Sequence, residues 1–168
     1  MYCKSVNIIL FAFLIVINLS FNSSKRGYQP YTLIAKEGKY ACDGMRQYLY
    51  VPVLLINNTN DTLKYIAWTC PLNKEYTVQC DVLTRDYNIV CDATFPTQLT
   101  IPPHQSKETE MKLIFKNSFR GGAVEYKMVF DLYNEPLKYM YWFMNKSPVK
   151  PHPKILQSNV IQMLIVSR

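Results

Sequence analysis

The sequence predicts an all-β protein, an immunoglobulin-like antiparallel β-sandwich of about 8–9 strands preceded by an N-terminal signal helix. Three observations predict it. Apolar and polar residues alternate with period two in several stretches, and no sustained helical period follows the first 24 residues. Five glycines stand against thirteen tyrosines, a balance that suits strands. Clusters of Asn, Asp, Pro or Gly separate the apolar runs at the spacing of a sandwich.

The chain opens "MYCKSVNIILFAFLIVINLSFNSSKRGYQ", with Lys4 ahead of an uninterrupted apolar run over 8–17 and polar "NSSKRG" behind it. A bilayer span needs about 20 apolar residues, whereas the core of a signal peptide needs roughly 7–15. Residues 1–24 therefore read as a signal peptide. No small-x-small pair stands between Asn18 and Ser24, which keeps an uncleaved N-terminal anchor as the alternative. Residues 25–168 form one sandwich domain. The expected location is periplasmic or extracellular, with anchoring to the inner membrane if the N-terminus is retained.

"YTLIA" (31–35) is the first strand. "YLYVPVLLI" (48–56) is apolar on both faces, as a central strand is, yet Pro52 removes a ladder donor and implies a bulge or an edge. "NNTNDT" (57–62) is a turn, in which Asp61 is expected to bond the backbone, and "LKYIAWT" (63–69) returns from it. "YNIV" (87–90) and "TQLTI" (97–101) are short strands. "TEMKLIFK" (109–116) sets Met111, Leu113 and Phe115 on one face, and "VEYKMVFDLY" (124–133) does the same with Val124, Tyr126, Met128, Phe130 and Leu132. With "NSFRGG" between them these two read as a hairpin. "LKYMYWFM" (137–144) reads as a strand, "SPVKPHPK" (147–154) as a stiff connection, and "NVIQMLIV" (159–166) as the last strand. A barrel is the alternative architecture.

Composition and motifs exclude several functions. The net charge is +7, but its lysines and arginines are scattered, and the densest group, Lys146, Lys150 and Lys154, is diluted by prolines. Nucleic-acid binding wants a basic stripe, so none is expected, and weak attraction to an acidic envelope surface is the consequence. Cys70, Cys80 and Cys91 stand ten and eleven residues apart, too far for zinc knuckles. Pro71 follows Cys70, and aspartates follow Cys80 and Cys91, a poor setting for a thiolate nucleophile. With Cys42 they make an even set in an exported chain, which reads as disulfides. Spacing does not choose among the three pairings. Cys70–Cys91 is favoured because each residue closes an apolar run, and its loop of about twenty residues would contribute roughly 3 kcal/mol in the chain-entropy view. Cys42–Cys80 is then the second bridge.

The acids, from Asp43 to Glu135, fall in turns or on polar faces with no converging pair, and His104 sits alone in "IPPHQS". The methionines read as core filler. No catalytic residue, metal or cofactor is expected. "YMYWFM" (139–144) is the most suggestive run. As a strand it sets Tyr139, Tyr141 and Phe143 against Met140, Trp142 and Met144. Tyr139, Tyr141, Trp142 and Trp68 are the candidate partner-binding residues, since Tyr and Trp dominate contact hot spots.

"NNTNDTLKYIAWTC" followed by "CDATFPTQLTIPPHQSKETEMKLIF" resembles a group of uncharacterised exported proteins of Bacteroidota-type bacteria, over roughly residues 48–116. The resemblance implies that Cys70 and Cys91 are the recurrent pair, and it brings no known activity. The "I-P-P-x-x-S" layout is also loosely similar to small proteinase-inhibitor-like sandwich domains. The expected function is a non-catalytic exported envelope protein, an interaction or structural module. The alternatives are a proteinase-inhibitor-like binder presenting the 71–86 loop, and an enzyme of unidentified activity. The partner is an unknown protein or surface ligand, with membrane contact only through the N-terminal segment.

Overall fold

A computed structural model describes residues 28–43, 46–68, 75–86, 95–117 and 119–165. The expected signal segment, the strand over 87–90 and the Cys70–Cys91 bridge lie outside the described residues. Within them the chain forms ten antiparallel strands in three sheets and one short helix.

The first sheet is centred on β3 (Arg46–Asn57), the long apolar run around Pro52. One edge of β3 pairs with β8 (Ser106–Phe115), which pairs in turn with β6 (Leu83–Arg85). Along the other edge run β1 (Tyr31–Ala35) and β2 (Lys39–Asp43), end to end. They are one edge strand interrupted at residues 36–38, opposite Pro52. The Pro52 carbonyl accepts from the Lys36 N–H at 2.9 Å, so the donor that proline lacks would have faced this same gap. Pro52 is neither in a bulge of β3 nor on an edge strand. Its cost is met by breaking the neighbouring strand. The break is held from the core, where the Tyr126 hydroxyl donates to the Lys36 carbonyl at 3.0 Å. Gly38 fits there because a Cβ would come within 2.7 Å of Leu49 Cγ.

The second sheet orders β10 (Lys154–Ile165), β9 (Gly122–Leu132) and β5 (Tyr76–Gln79). The third pairs β4 (Leu63–Trp68) with β7 (Pro96–Ile101). The expected hairpin of residues 109–116 with 124–133 is not formed: β8 and β9 belong to different sheets. Both bury the faces expected, Met111, Leu113 and Phe115 on one and Val124 to Leu132 on the other, in a single apolar cluster. Alternation shows that a strand buries one face, and it is blind to whether the next strand lies beside it or in another sheet. The connection fits a crossing, because Phe119 is buried against Phe115 with ring centroids 4.5 Å apart, and Gly121 and Gly122 take positive φ angles of 102° and 121°.

The same cluster takes in Leu49, Val51, Val53 and Leu55 of β3, Tyr65 of β4 and Tyr76 of β5. Tyr65 meets Phe130 edge-on, with centroids 6.0 Å apart, and the Ile66 N–H donates to the Tyr133 carbonyl. The third sheet is thereby tied to the second. In β10 the register slips between Gln157 and Val160. At this bulge the Ser158 hydroxyl accepts from the Met128 N–H and donates to the Asn159 carbonyl. The two-for-one geometry of a bulge re-aims a side chain, here the Asn159 amide towards β1.

Cys42 lies in β2 of the first sheet and Cys80 directly after β5 of the second. No disulfide joins them, which corrects the expected second bridge. Strands β5 and β6 also fall within the segment expected as a presented loop over 71–86. Glu75, Tyr76, Leu83, Arg85 and Asp86 there are buried.

Candidate interaction surface

Residues 137–143 of the expected strand over 137–144 lie instead in a helix, α1 (Pro136–Phe143), with Met144 as its C-cap. The reason is local. Pro136 stands at the first helical position, where its missing N–H costs nothing and its φ is already helical. No β-branched residue occurs in "LKYMYWF", and Leu, Lys and Met are strong helix formers. At the far end Asn145 takes a left-handed φ of 57°. Its N–H donates to the Trp142 carbonyl, and the Lys146 N–H donates to the Tyr141 carbonyl, both at 2.9 Å. That pair of bonds is a Schellman motif with Asn at C′.

A helix sorts these side chains by steps of three and four, which overturns the two strand faces expected. Tyr139 and Trp142 turn inward, while Phe143, 37% exposed, lays an edge on the body. Tyr139 is buried against Tyr133 with centroids 4.6 Å apart and touches Trp142 at 5.3 Å, while Phe143 meets Trp68 edge-on at 5.8 Å. Tyr139, Trp142 and Trp68, expected to touch a partner, are thus brought together to seat the helix. Tyr141 is the one of the four that faces outward. It stands 53% exposed between Leu137 at 74% and Met144 at 48%, the positions i, i+4 and i+7 of one stripe. Val149, in the turn beyond, is 69% exposed.

The electrostatic frame is basic. Lys138, Lys146 and Lys150 are exposed around the stripe. Lys138 pairs with Glu135 at 2.5 Å, and the Lys150 ammonium lies 5.1 Å from the centroid of the Trp142 ring. α1 is therefore apolar on both sides. One side is covered by the body and the other by nothing among the described residues. Contact with another surface is what this arrangement can do.

Beneath α1 lies a group the sequence reading passed over. Glu75 is 5% exposed, and its Oε2 has no hydrogen-bond partner among the described residues. Burial pushes its pKa from 4.5 up to about 7, against the backbone N–H groups of Glu75 and Trp68 and the charges of Arg85 and Lys107, which lower it. Burial, followed by the Glu75 charge, raises Tyr65 to about 12. Burial chiefly raises Tyr76 and Tyr139 as well. Arg85 spends Nη1 on the Tyr76 carbonyl at 2.9 Å. Glu75 was invisible in the sequence because "NKEYT" reads as a polar turn.

The remaining candidates resolve simply. His104 Nε2 lies 2.9 Å from Asn60 Oδ1, so its partner is an amide and not an acid. The "NNTNDT" turn is organised by Asn57, which is fully buried. Its Nδ2 donates to the carbonyls of Asp61, Ile101 and Pro102, and its Oδ1 accepts from Thr59. Asp61 contributes its carbonyl, in place of the carboxylate bond expected. Among the described residues no three His, Cys, Asp or Glu side chains are grouped to hold a metal ion. No helix among them is long and apolar enough to cross a membrane.

No protein-family model and no curated protein matches the chain.

Proposed function

We propose that this chain is a non-catalytic exported protein of a bacterial envelope that acts by contact, with the outward stripe of α1 as its binding face. The observation that carries the reading is that Leu137, Tyr141 and Met144 stand open on a helix whose opposite side is already packed. Apolar side chains scattered singly on a surface need no explanation, but a stripe of large ones does. Under this reading the body is an immunoglobulin-like sandwich stapled by Cys70–Cys91, related to the exported Bacteroidota-type proteins it resembles. The single core shared by the three sheets supports the sandwich.

Photo-crosslinking in cells tests it. A benzophenone side chain in place of Tyr141 should give adducts, and the same group in place of Thr77, on the polar face of β5, should not. Equal labelling at both positions, or none at 141, would remove α1 as the binding face.

A further inference from the structure

We propose that the α1 face docks on an anionic lipid bilayer, with Leu137, Tyr141, Met144 and Val149 entering the interface and Lys138, Lys146 and Lys150 meeting the head groups. This rests on α1 being the binding face and names its partner. Three observations point to lipid.

A helix lies in a bilayer interface with its apolar side in the head-group boundary and its other side kept out of it. In α1 the second side is satisfied by protein, through Tyr139 on Tyr133 and Phe143 on Trp68. The first side carries no acid.

The charges of the segment that carries the stripe are mostly positive. Residues 134–150 hold three lysines and one glutamate, and that glutamate, Glu135, is taken by Lys138. The whole chain carries +7. Anionic head groups attract such a rim, and each lysine near a charged membrane surface adds to that attraction.

The outward aromatic group is of the interfacial kind. Tyr141, which faces outward, presents an apolar body with a polar tip, the kind of side chain that settles at head-group depth. Lys150 over the Trp142 ring places a cation at that same level. Membrane contact expected only from residues 1–24 thus gains a second, independent site on the folded body.

The chain provides its own probe, because both of its tryptophans, Trp68 and Trp142, belong to this cluster. Full-length protein is mixed with vesicles of equal parts phosphatidylglycerol and acyl-brominated phosphatidylcholine, or of brominated phosphatidylcholine alone. Bromine quenches tryptophan only at close range, so insertion of the N-terminal run by itself leaves the signal unchanged. Quenching on the anionic vesicles is expected, with little on the zwitterionic ones. It should be lost in Leu137→Ser/Met144→Ser, whose fold is checked by circular dichroism. Lys146→Gln and Lys150→Gln should each weaken the anionic binding roughly five-fold. Protein that pellets with the vesicles while its tryptophans stay unquenched would overturn the proposal, and so would equal quenching on both compositions. If neither vesicle quenches while crosslinking from residue 141 captures a protein, α1 remains the binding face and the lipid assignment falls.

Discussion

The side-chain oxygen Oδ1 of Asn159 accepts a hydrogen bond from the Ala35 N–H at 2.9 Å, joining residues 124 positions apart. Ala35 ends β1, the edge of the first sheet, and Asn159 sits in the β10 bulge at the edge of the second. A side chain thereby continues across the seam where the backbone ladder stops. Asn159→Ala removes the partner of a part-buried donor and should cost about 1 kcal/mol. Urea denaturation measures the loss, and amide exchange should quicken at Ala35 before it does in β3. Unchanged protection at Ala35 would mean that the bond is dispensable.

Gly38 marks the break between β1 and β2, where an added Cβ meets Leu49, a side chain with no exposure and no room to retreat. Gly38→Ala should destabilise the fold by about 1–3 kcal/mol through overpacking. Gly122→Ala makes the contrasting control, since nothing lies within 4 Å and only its φ of 121° is strained. Pairing each variant with Leu49→Val in thermal melts checks the mechanism, for that second change should relieve Gly38→Ala alone.

Glu75 gives a pH dependence with a definite sign. Its folded pKa of about 7 lies above the ordinary 4.5, so the folded state holds the proton more tightly than the unfolded one. Its contribution is fully present below pH 4.5 and is lost as the pH rises towards 7, a change on the order of 3 kcal/mol. Glu75→Gln should match the parent near pH 4, exceed it at pH 8, and flatten the profile between. Parallel profiles for the two proteins would place the titration elsewhere.

Cys80 is half-buried and outside any disulfide, and Cys42 is not bonded to it. Peptide mapping without reduction should therefore find Cys80 alkylated, and under the export reading it should find Cys70 joined to Cys91. A peptide linking 42 to 80 would contradict the structure, in which these two cysteines are not joined.

The strands were legible in the sequence where one face alone is wet. Met111 to Phe115 and Val124 to Leu132 lie on the core faces that alternation assigned. Pairing was not legible, because the pattern is the same for β8 and β9 in one sheet or in two. The helix was misread for a different reason. "YMYWFM" carries no alternation to separate period two from 3.6, and the informative residues were its punctuation, Pro136 ahead and Asn145 behind. β2, β5 and β6 have three to five residues each, too short to show a period. Of the candidate site, the place was found and the roles were not. Tyr139, Trp142 and Trp68 do cluster, but as the seat of α1, while Leu137 and Met144, read as ordinary strand residues, form the open stripe with Tyr141. Nothing in "NKEYT" announces that Glu75 is buried, since that depends on contacts with Arg85 and Tyr65.

The gap opposite Pro52 has a consequence for the molecule among its own copies. A continuous strand from Tyr31 to Asp43 would present a longer edge of amides and carbonyls on which a second chain could build. Split at Lys36 and Glu37, both exposed and charged, it leaves two five-residue pieces, and short, charged edges discourage such pairing. The proline that weakens the ladder also guards the protein against polymerising through its own border.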